Sequence, residues 1–193
     1  MERLIIVCEK SREPDLLELA QAAGFDAAEF CEEDSMQSRE PPAGSLFCIA
    51  VKDKIRRAQI AEILRKKNAK FASLIHPSCE ISKFANIGEG AVIEPFCMVS
   101  ANAVLGGFCL VESHSLIGHN ADVGKFSNIG SHCDITGFCR IGEFCEIGHG
   151  ATIIPNVKIG SHVVVCENSA VIKSAKDFEK ICGIPARKIG AGE

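Results

Sequence analysis

From Ile75 to Val171 every sixth residue is Ile, Leu or Val, without insertion or skip. The series runs through Ile75, Ile81, Ile87 and Ile93, past Ile117, Ile135 and Ile153, to Val165 and Val171. Period six is neither the 3.6 of an amphipathic helix nor the plain alternation of an ordinary strand. It fits a parallel β-helix in which each short strand sends one aliphatic side chain to the axis and the chain turns between strands. Three such sides close a triangular coil of eighteen residues, so the run supplies between five and six coils. Residues eighteen apart then stack at roughly 4.8 Å. Gly follows the periodic aliphatic at eight places, Gly88, Gly106, Gly118, Gly124, Gly130, Gly142, Gly148 and Gly160, where the coil turns its corners.

Before the repeat the pattern changes. Leu4 to Cys8 is a short apolar run with strand character, and Leu16, Leu19, Ala20 and Ala23 recur at helical spacing up to Gly24, a C-terminal stop. Ala27 to Cys31 predicts a second strand, Glu32 to Gly44 a polar loop, and Leu46 to Val51 a third strand. Asp53 caps a helix with Ile55, Ile60, Ile63 and Leu64 on one face, ending near Asn68. Phe71 to Ile75 then leads into the repeat. Strands alternating with helices predict a small parallel α/β domain over residues 1–72, followed by the β-helix over 73–173. Ser174 to Cys182 predicts a short helix or cap within a tail of 174–193.

A formal charge of −4 over 193 residues gives no footprint for nucleic acid. The run Leu4 to Cys8 is too short for a signal peptide or a membrane span, so a cytoplasmic protein is expected. Eleven cysteines suggest a disulfide framework until they are set in the repeat. Cys79, Cys97, Cys109, Cys133, Cys139 and Cys145 each fall four residues after the periodic aliphatic, a position held elsewhere by Ala or Ser. That position wants a small inward side chain, and Cys serves there as a small hydrophobe. With no Cys-x-x-Cys pair and an odd count, reduced thiols in a reducing compartment are expected.

Of five histidines in the repeat (His114, His119, His132, His149 and His162), His119 stands in the most suggestive setting, Ile117-Gly-His-Asn-Ala-Asp-Val-Gly124. A neutral imidazole beside a groove can take a proton from an amine or hydroxyl near neutral pH. Asn120 is placed to orient the ring, but adds little to its basicity because it is uncharged. His114 and His132, eighteen apart, should stack on one edge.

Three stretches resemble the sugar acyltransferases that include sialic acid O-acetyltransferases and the N-acetyltransferases of bacillosamine-type amino-sugar synthesis. They are Cys48-Ile-Ala-Val-Lys-Asp-Lys-Ile-Arg-Arg57 with Phe71-Ala-Ser-Leu-Ile-His-Pro-Ser78, then Gly118-His-Asn-Ala-Asp-Val-Gly124, then Cys182-Gly-Ile-Pro-Ala-Arg187. The resemblance implies a left-handed parallel β-helix behind a Rossmann-like α/β domain. It implies acetyl transfer from acetyl-CoA to an amino or hydroxyl group of a sugar, with a nucleotide-linked sugar as substrate. It makes His119 the general base, aided by Asn120, and the Gly137 N–H an oxyanion donor. Contacts to acetyl-CoA map onto Asn128, Gly137, His149, Glu167 and Arg187. The assembly implied is a homotrimer with the acetyl-CoA cleft between neighbouring β-helices, and no metal is needed.

The chain departs from this pattern at the nucleotide domain. The first strand-to-helix turn reads Cys8-Glu-Lys-Ser-Arg-Glu-Pro14, without the family's glycines, and Lys52 replaces a further binding glycine. The substrate contacts expected there are Lys10, Ser11, Arg12 and Lys52, with Glu32 and Glu33 as the acidic pair after the second strand. Family members also commonly carry Asp or Glu where this chain has Asn120. Two other readings stay open. One is a γ-carbonic-anhydrase-like zinc enzyme on the His114 and His119 spacing, although the third ligand position falls on Ser78 with His76 nearby. The other is a non-catalytic homologue, suggested by the lost glycines.

Overall fold

The computed structural model describes residues 3–36 and 40–192. Four parallel strands, β1 (Arg3–Val7), β2 (Ala28–Cys31), β3 (Ser45–Ile49) and β4 (Lys70–Phe71), lie in the order β2-β1-β3-β4. Helix α1 (Glu13–Ala22) packs Leu16, Leu19 and Ala20 on one side of this sheet, and α2 (Lys54–Lys66) packs Ile60, Ala61 and Leu64 on the other. Strands buried on both faces read as the continuous apolar runs seen in the sequence. Asp53 caps α2 by accepting the Arg56 N–H at 2.9 Å, and Gly24 follows α1 at a φ of 95°. The expected loop over 32–44 contains a short 3-10 turn, Glu33–Met36, and its residues 37–39 lie outside the described residues.

The repeat forms a three-sided parallel β-helix. Its first face stacks the two-residue strands beginning at Leu74, Val92, Leu110, Asn128, Glu146 and Val164. Its second face carries strands from Glu80–Ile81 to Ala170–Val171, and its third carries strands from Asn86–Ile87 to Lys158–Ile159. The register is eighteen throughout, as in Val111↔Ile129 and Ile129↔Ile147. The periodic aliphatics make one axial core from Ile93 to Val171, joined by the inward thiols of Cys97, Cys109, Cys133, Cys139 and Cys145. These thiols also reach the main chain of the next coil, Cys109 to the Gly124 carbonyl at 3.1 Å and Cys145 to the Gly160 carbonyl at 3.0 Å. Burial pushes Cys109 up to about 12 and Cys133 and Cys145 up to about 11, which leaves them unreactive at neutral pH.

From Gly90 to Asn168 every corner places one residue at positive φ, and Phe, His and Asn fill most of those places. Stacked side chains hold them. Along the third-to-first edge run Phe108, Phe126, Phe144, His162 and Phe178, with centroids 4.7–5.2 Å apart. Along the first-to-second edge, Phe96, His114 and His132 stack at 4.9 and 4.8 Å, as the spacing of the two histidines required.

The α/β domain sits on the first face. Leu74, Val92 and Leu110 point out of the coil into the α1 side of its core, and Phe108 and Phe126 join the α2 side. Further along this face the same outward position turns polar at Asn128 and Glu146, which still meet the domain through Arg57, Lys52 and Lys54. Of the short helix or cap expected for the tail, no helix forms among the described residues. Glu179–Gly183 pairs with Val164–Val165 and continues the first face, then turns back as an antiparallel hairpin with Ala186–Ala191. An open sheet edge offered more hydrogen bonds to this segment than an isolated helical turn would.

Candidate functional site

His119 lies just after a second-face strand, on the edge between the second and third faces, and its ring is exposed. Eighteen residues on, Gly137 lies directly beneath the imidazole. A Cβ at 137 would stand 2.7 Å from His119 Nε2 and 2.8 Å from Cε1. The ring also meets Phe138 edge-on at 5.0 Å. On its other side Asn120, at a φ of 56°, brings its amide within 3.0 Å of His119 Nδ1. Asn102 Nδ2 donates to Asn120 Oδ1 at 3.4 Å, and Arg140 Nη1 donates to the Asn120 carbonyl at 2.6 Å. The imidazole is therefore set by a glycine floor, an aromatic wall and an amide on one nitrogen, while Nε2 sits over Gly137. The Gly137 N–H has no acceptor among the described residues.

Asn120 can offer either end of its amide. With Nδ2 toward Nδ1, as here, Nδ1 accepts and the proton of the neutral ring resides on Nε2. With Oδ1 turned to Nδ1–H, Nε2 becomes the free base. Both arrangements fit the same heavy-atom positions.

Apart from Gly137, the acetyl-CoA contacts expected from the sequence lie elsewhere. His149 and Glu167 line a cavity of about 400 Å³ on the first face, beside Lys52 and Lys54 at the start of α2 and Lys180 of the hairpin. The first face is opposite the edge that carries His119, so one chain does not bring the two groups together. His149 Nδ1 accepts the Ser131 N–H at 3.0 Å and lies 3.4 Å from Glu112. Glu167 is exposed. Arg187 is exposed on the hairpin, outside the residues lining this cavity, and donates to the Ala186 carbonyl.

Asn128 is engaged through both ends of its amide. Its Oδ1 accepts from Arg57 at 2.6 Å, and its Nδ2 donates to the Lys52 carbonyl and to Glu146, each at 2.9 Å. Both hydrogens of its amide are engaged, and it serves as a strut between the two parts of the chain while lining the same cavity as His149 and Glu167. Arg57 completes that strut. It is fully buried and donates to the carbonyls of Phe108, Phe126 and Val51 as well as to Asn128. Burial pulls its guanidinium down to about 10, still charged at neutral pH. Sequence reading missed it, yet a signal was present. Residues 57, 60, 61 and 64 make one apolar helical stripe, and an Arg on such a stripe needs buried acceptors.

The substrate contacts expected in the α/β domain are dispersed or self-paired. Lys10 and Ser11 are exposed in a 3-10 turn. Arg12 donates to the Ala50 carbonyl and to Glu94, Lys52 pairs with Glu112 at 2.8 Å, and Glu33 pairs with Arg56 at 3.3 Å. Glu32 is exposed, with its carbonyl accepting from Ser35. Among the described residues no group of three or more His, Cys, Asp or Glu side chains could hold a metal ion. His114 and His119, the pair behind the zinc reading, stand on different edges of the prism, with His114 stacked between Phe96 and His132. No helix among the described residues is long and apolar enough to cross a membrane.

Residues 138–173 match the family model of the bacterial transferase hexapeptide (six repeats). With the fold, this match marks the chain as a hexapeptide-repeat β-helix protein. More particularly, it is similar over almost its whole length to the acetyltransferase domain of PglB from Neisseria gonorrhoeae FA1090, solved with acetyl coenzyme A. Identity to that domain is 25%, the TM-score is 0.90, and the match covers 98% of this chain and 100% of that one. PerB from Caulobacter crescentus, solved with CoA and GDP-perosamine, shares the fold at 22% identity and a TM-score of 0.91 over 97% of each chain. WeeI from Acinetobacter baumannii AYE shares it at 21% and 0.84 over 97% of this chain and all of its own. No curated protein matches it closely in sequence.

Proposed function

We propose that this protein transfers an acetyl group from acetyl-CoA to an amino group of a sugar, with His119 as general base. The observation that carries the reading is the imidazole held over Gly137 with Asn120 on its inner nitrogen. Likeness to the PglB domain solved with acetyl coenzyme A and to PerB solved with CoA and GDP-perosamine supports the donor and the acceptor class.

In this mechanism Asn120 turns Oδ1 to Nδ1–H, and Nε2 removes a proton from the amine as its nitrogen attacks the thioester carbonyl. The developing oxyanion meets the Gly137 N–H. Collapse of the tetrahedral intermediate breaks the C–S bond, and the imidazolium returns its proton to the departing thiolate. Since His119 lies on the edge opposite the His149–Glu167 cavity, a working site joins the edge of one copy to the first face of the next. A closed ring of three copies satisfies this for every site, so the assembly proposed is a homotrimer. Eleven free cysteines and a donor found inside cells argue for the cytoplasm.

Two assays test the reading: calorimetric titration with acetyl-CoA, and a screen of amino sugars against hydroxyl-only sugars with CoA release as readout. Binding of acetyl-CoA, with CoA release that depends on an amino sugar, supports the proposal. A confirmed trimer that does not bind acetyl-CoA contradicts it and favours a non-catalytic scaffold.

A further inference from the structure

Open parallel sheets bind ligands outside the carboxyl ends of their strands, where the strand order reverses. Here the reversal lies between β1 and β3, and the loops after them, 8–12 and 50–53, flank the crevice. An anionic ligand entering such a crevice is held by loop N–H groups and by cations. In this chain the Lys52 N–H and both cations that line the cavity, Arg12 and Lys52, are already engaged. The Glu9 Oε1 accepts the Lys52 N–H at 2.9 Å. Arg12 spans from the Ala50 carbonyl to Glu94, and the Lys52 ammonium is held by Glu112. The cavity there, about 470 Å³, is lined by four carboxylates (Glu9, Asp15, Glu94 and Glu112) against two cations. Burial, with Glu112 nearby, raises the Glu94 pKa, as expected where carboxylates crowd. The second Glu9 oxygen is buried and has no partner among the described residues. These residues do not fit a nucleotide diphosphate.

Resting on the acetyltransferase reading, we propose that Glu9 determines acceptor specificity. Its carboxylate takes the place of a ligand phosphate at the strand reversal, so the acceptor is an amino sugar without a nucleotide diphosphate.

The test is calorimetric titration of the full-length protein with UDP and with GDP, with acetyl-CoA titrated in parallel. For the unaltered protein, neither nucleotide should bind below about 1 mM, a Kd equivalent to roughly −4 kcal/mol. Glu9→Ala, which frees the Lys52 N–H, and Glu9→Gln, which removes only the charge, should each tighten UDP or GDP binding at least tenfold. Micromolar binding of either nucleotide to the unaltered protein overturns the proposal. So does the absence of any gain in both variants. Failure of acetyl-CoA to bind counts against the acetyltransferase reading instead, and leaves the nucleotide result to be judged on its own.

Discussion

Replacing Gly137 by Ala separates the working position of His119 from the stability of the coil. Gly137 lies outside the left-handed region, so its backbone accepts an L side chain, but the new Cβ would stand 2.7 Å from His119 Nε2. Ordinary contact begins near 3.4 Å, so the ring must retreat by about 0.7 Å (3.4 − 2.7) or rotate away. Because the imidazole is exposed, that retreat costs the fold little. Loss of glycine freedom in the unfolded chain would itself stabilise by roughly 0.4–1 kcal/mol. Catalysis is the sensitive quantity, since misplacing a reacting group by about 1 Å costs about 10²-fold, or roughly 2.7 kcal/mol of barrier. Gly118→Ala gives the contrast. Its Cβ would meet the Thr136 carbonyl carbon at 2.7 Å and the Gly137 nitrogen at 2.8 Å, main-chain atoms that cannot swing aside. That change should cost about 1–3 kcal/mol of stability or more. Thermal melts and kcat for CoA release, measured on both variants, decide the matter. A Gly137→Ala enzyme with unaltered kcat, or one whose Tm falls as far as that of Gly118→Ala, would refute the placement of the base.

Asn120→Asp puts a carboxylate on His119 Nδ1 and should raise the acid limb of kcat/KM by about one pH unit; an unmoved limb means that Asn120 does not govern the base. Arg57→Met leaves three main-chain carbonyls and the Asn128 amide oxygen without their donor. It should cost about 3 kcal/mol or more in urea unfolding, and a loss below about 1 kcal/mol contradicts the strut. Glu94 has a raised pKa in the folded chain, caused first by burial, so it keeps its proton over a window in which the unfolded chain loses it. Stability is therefore lost as pH rises from about 4.3 through the folded value. Relative to Glu94→Gln, the unaltered protein should lose ground across that window, and a stability difference that does not change with pH counts against this.

The β-helix was legible because period six leaves little choice: one aliphatic per strand, one small residue four places later and glycine at many corners define the coil. His119 and Gly137 could be paired from sequence because the eighteen-residue period turns separation along the chain into contact. The α/β elements were legible from apolar runs, the Asp53 cap and Gly24. Harder to see were features set by what covers the coil. The outward position reads Leu74, Val92 and Leu110 under the apolar core of the α/β domain and then Asn128 and Glu146, where the contact with the domain becomes polar. The bond from Arg57 to Asn128 was not legible because the two lie seventy-one residues apart and meet only through that docking. The crevice after β1 lost its anion-binding character through Glu9, whose reach to the Lys52 N–H depends on two loops meeting. The hairpin at the tail gains from an open edge that is invisible in local propensity.

The most direct measurement is CoA release by the purified oligomer with acetyl-CoA and a responsive amino sugar, made in parallel on the unaltered protein and on His119→Ala. Acetyl-CoA affinity within a few fold of the unaltered protein, with turnover lowered by about 10³-fold or more, is the predicted result. Turnover that survives the loss of that imidazole would contradict the account.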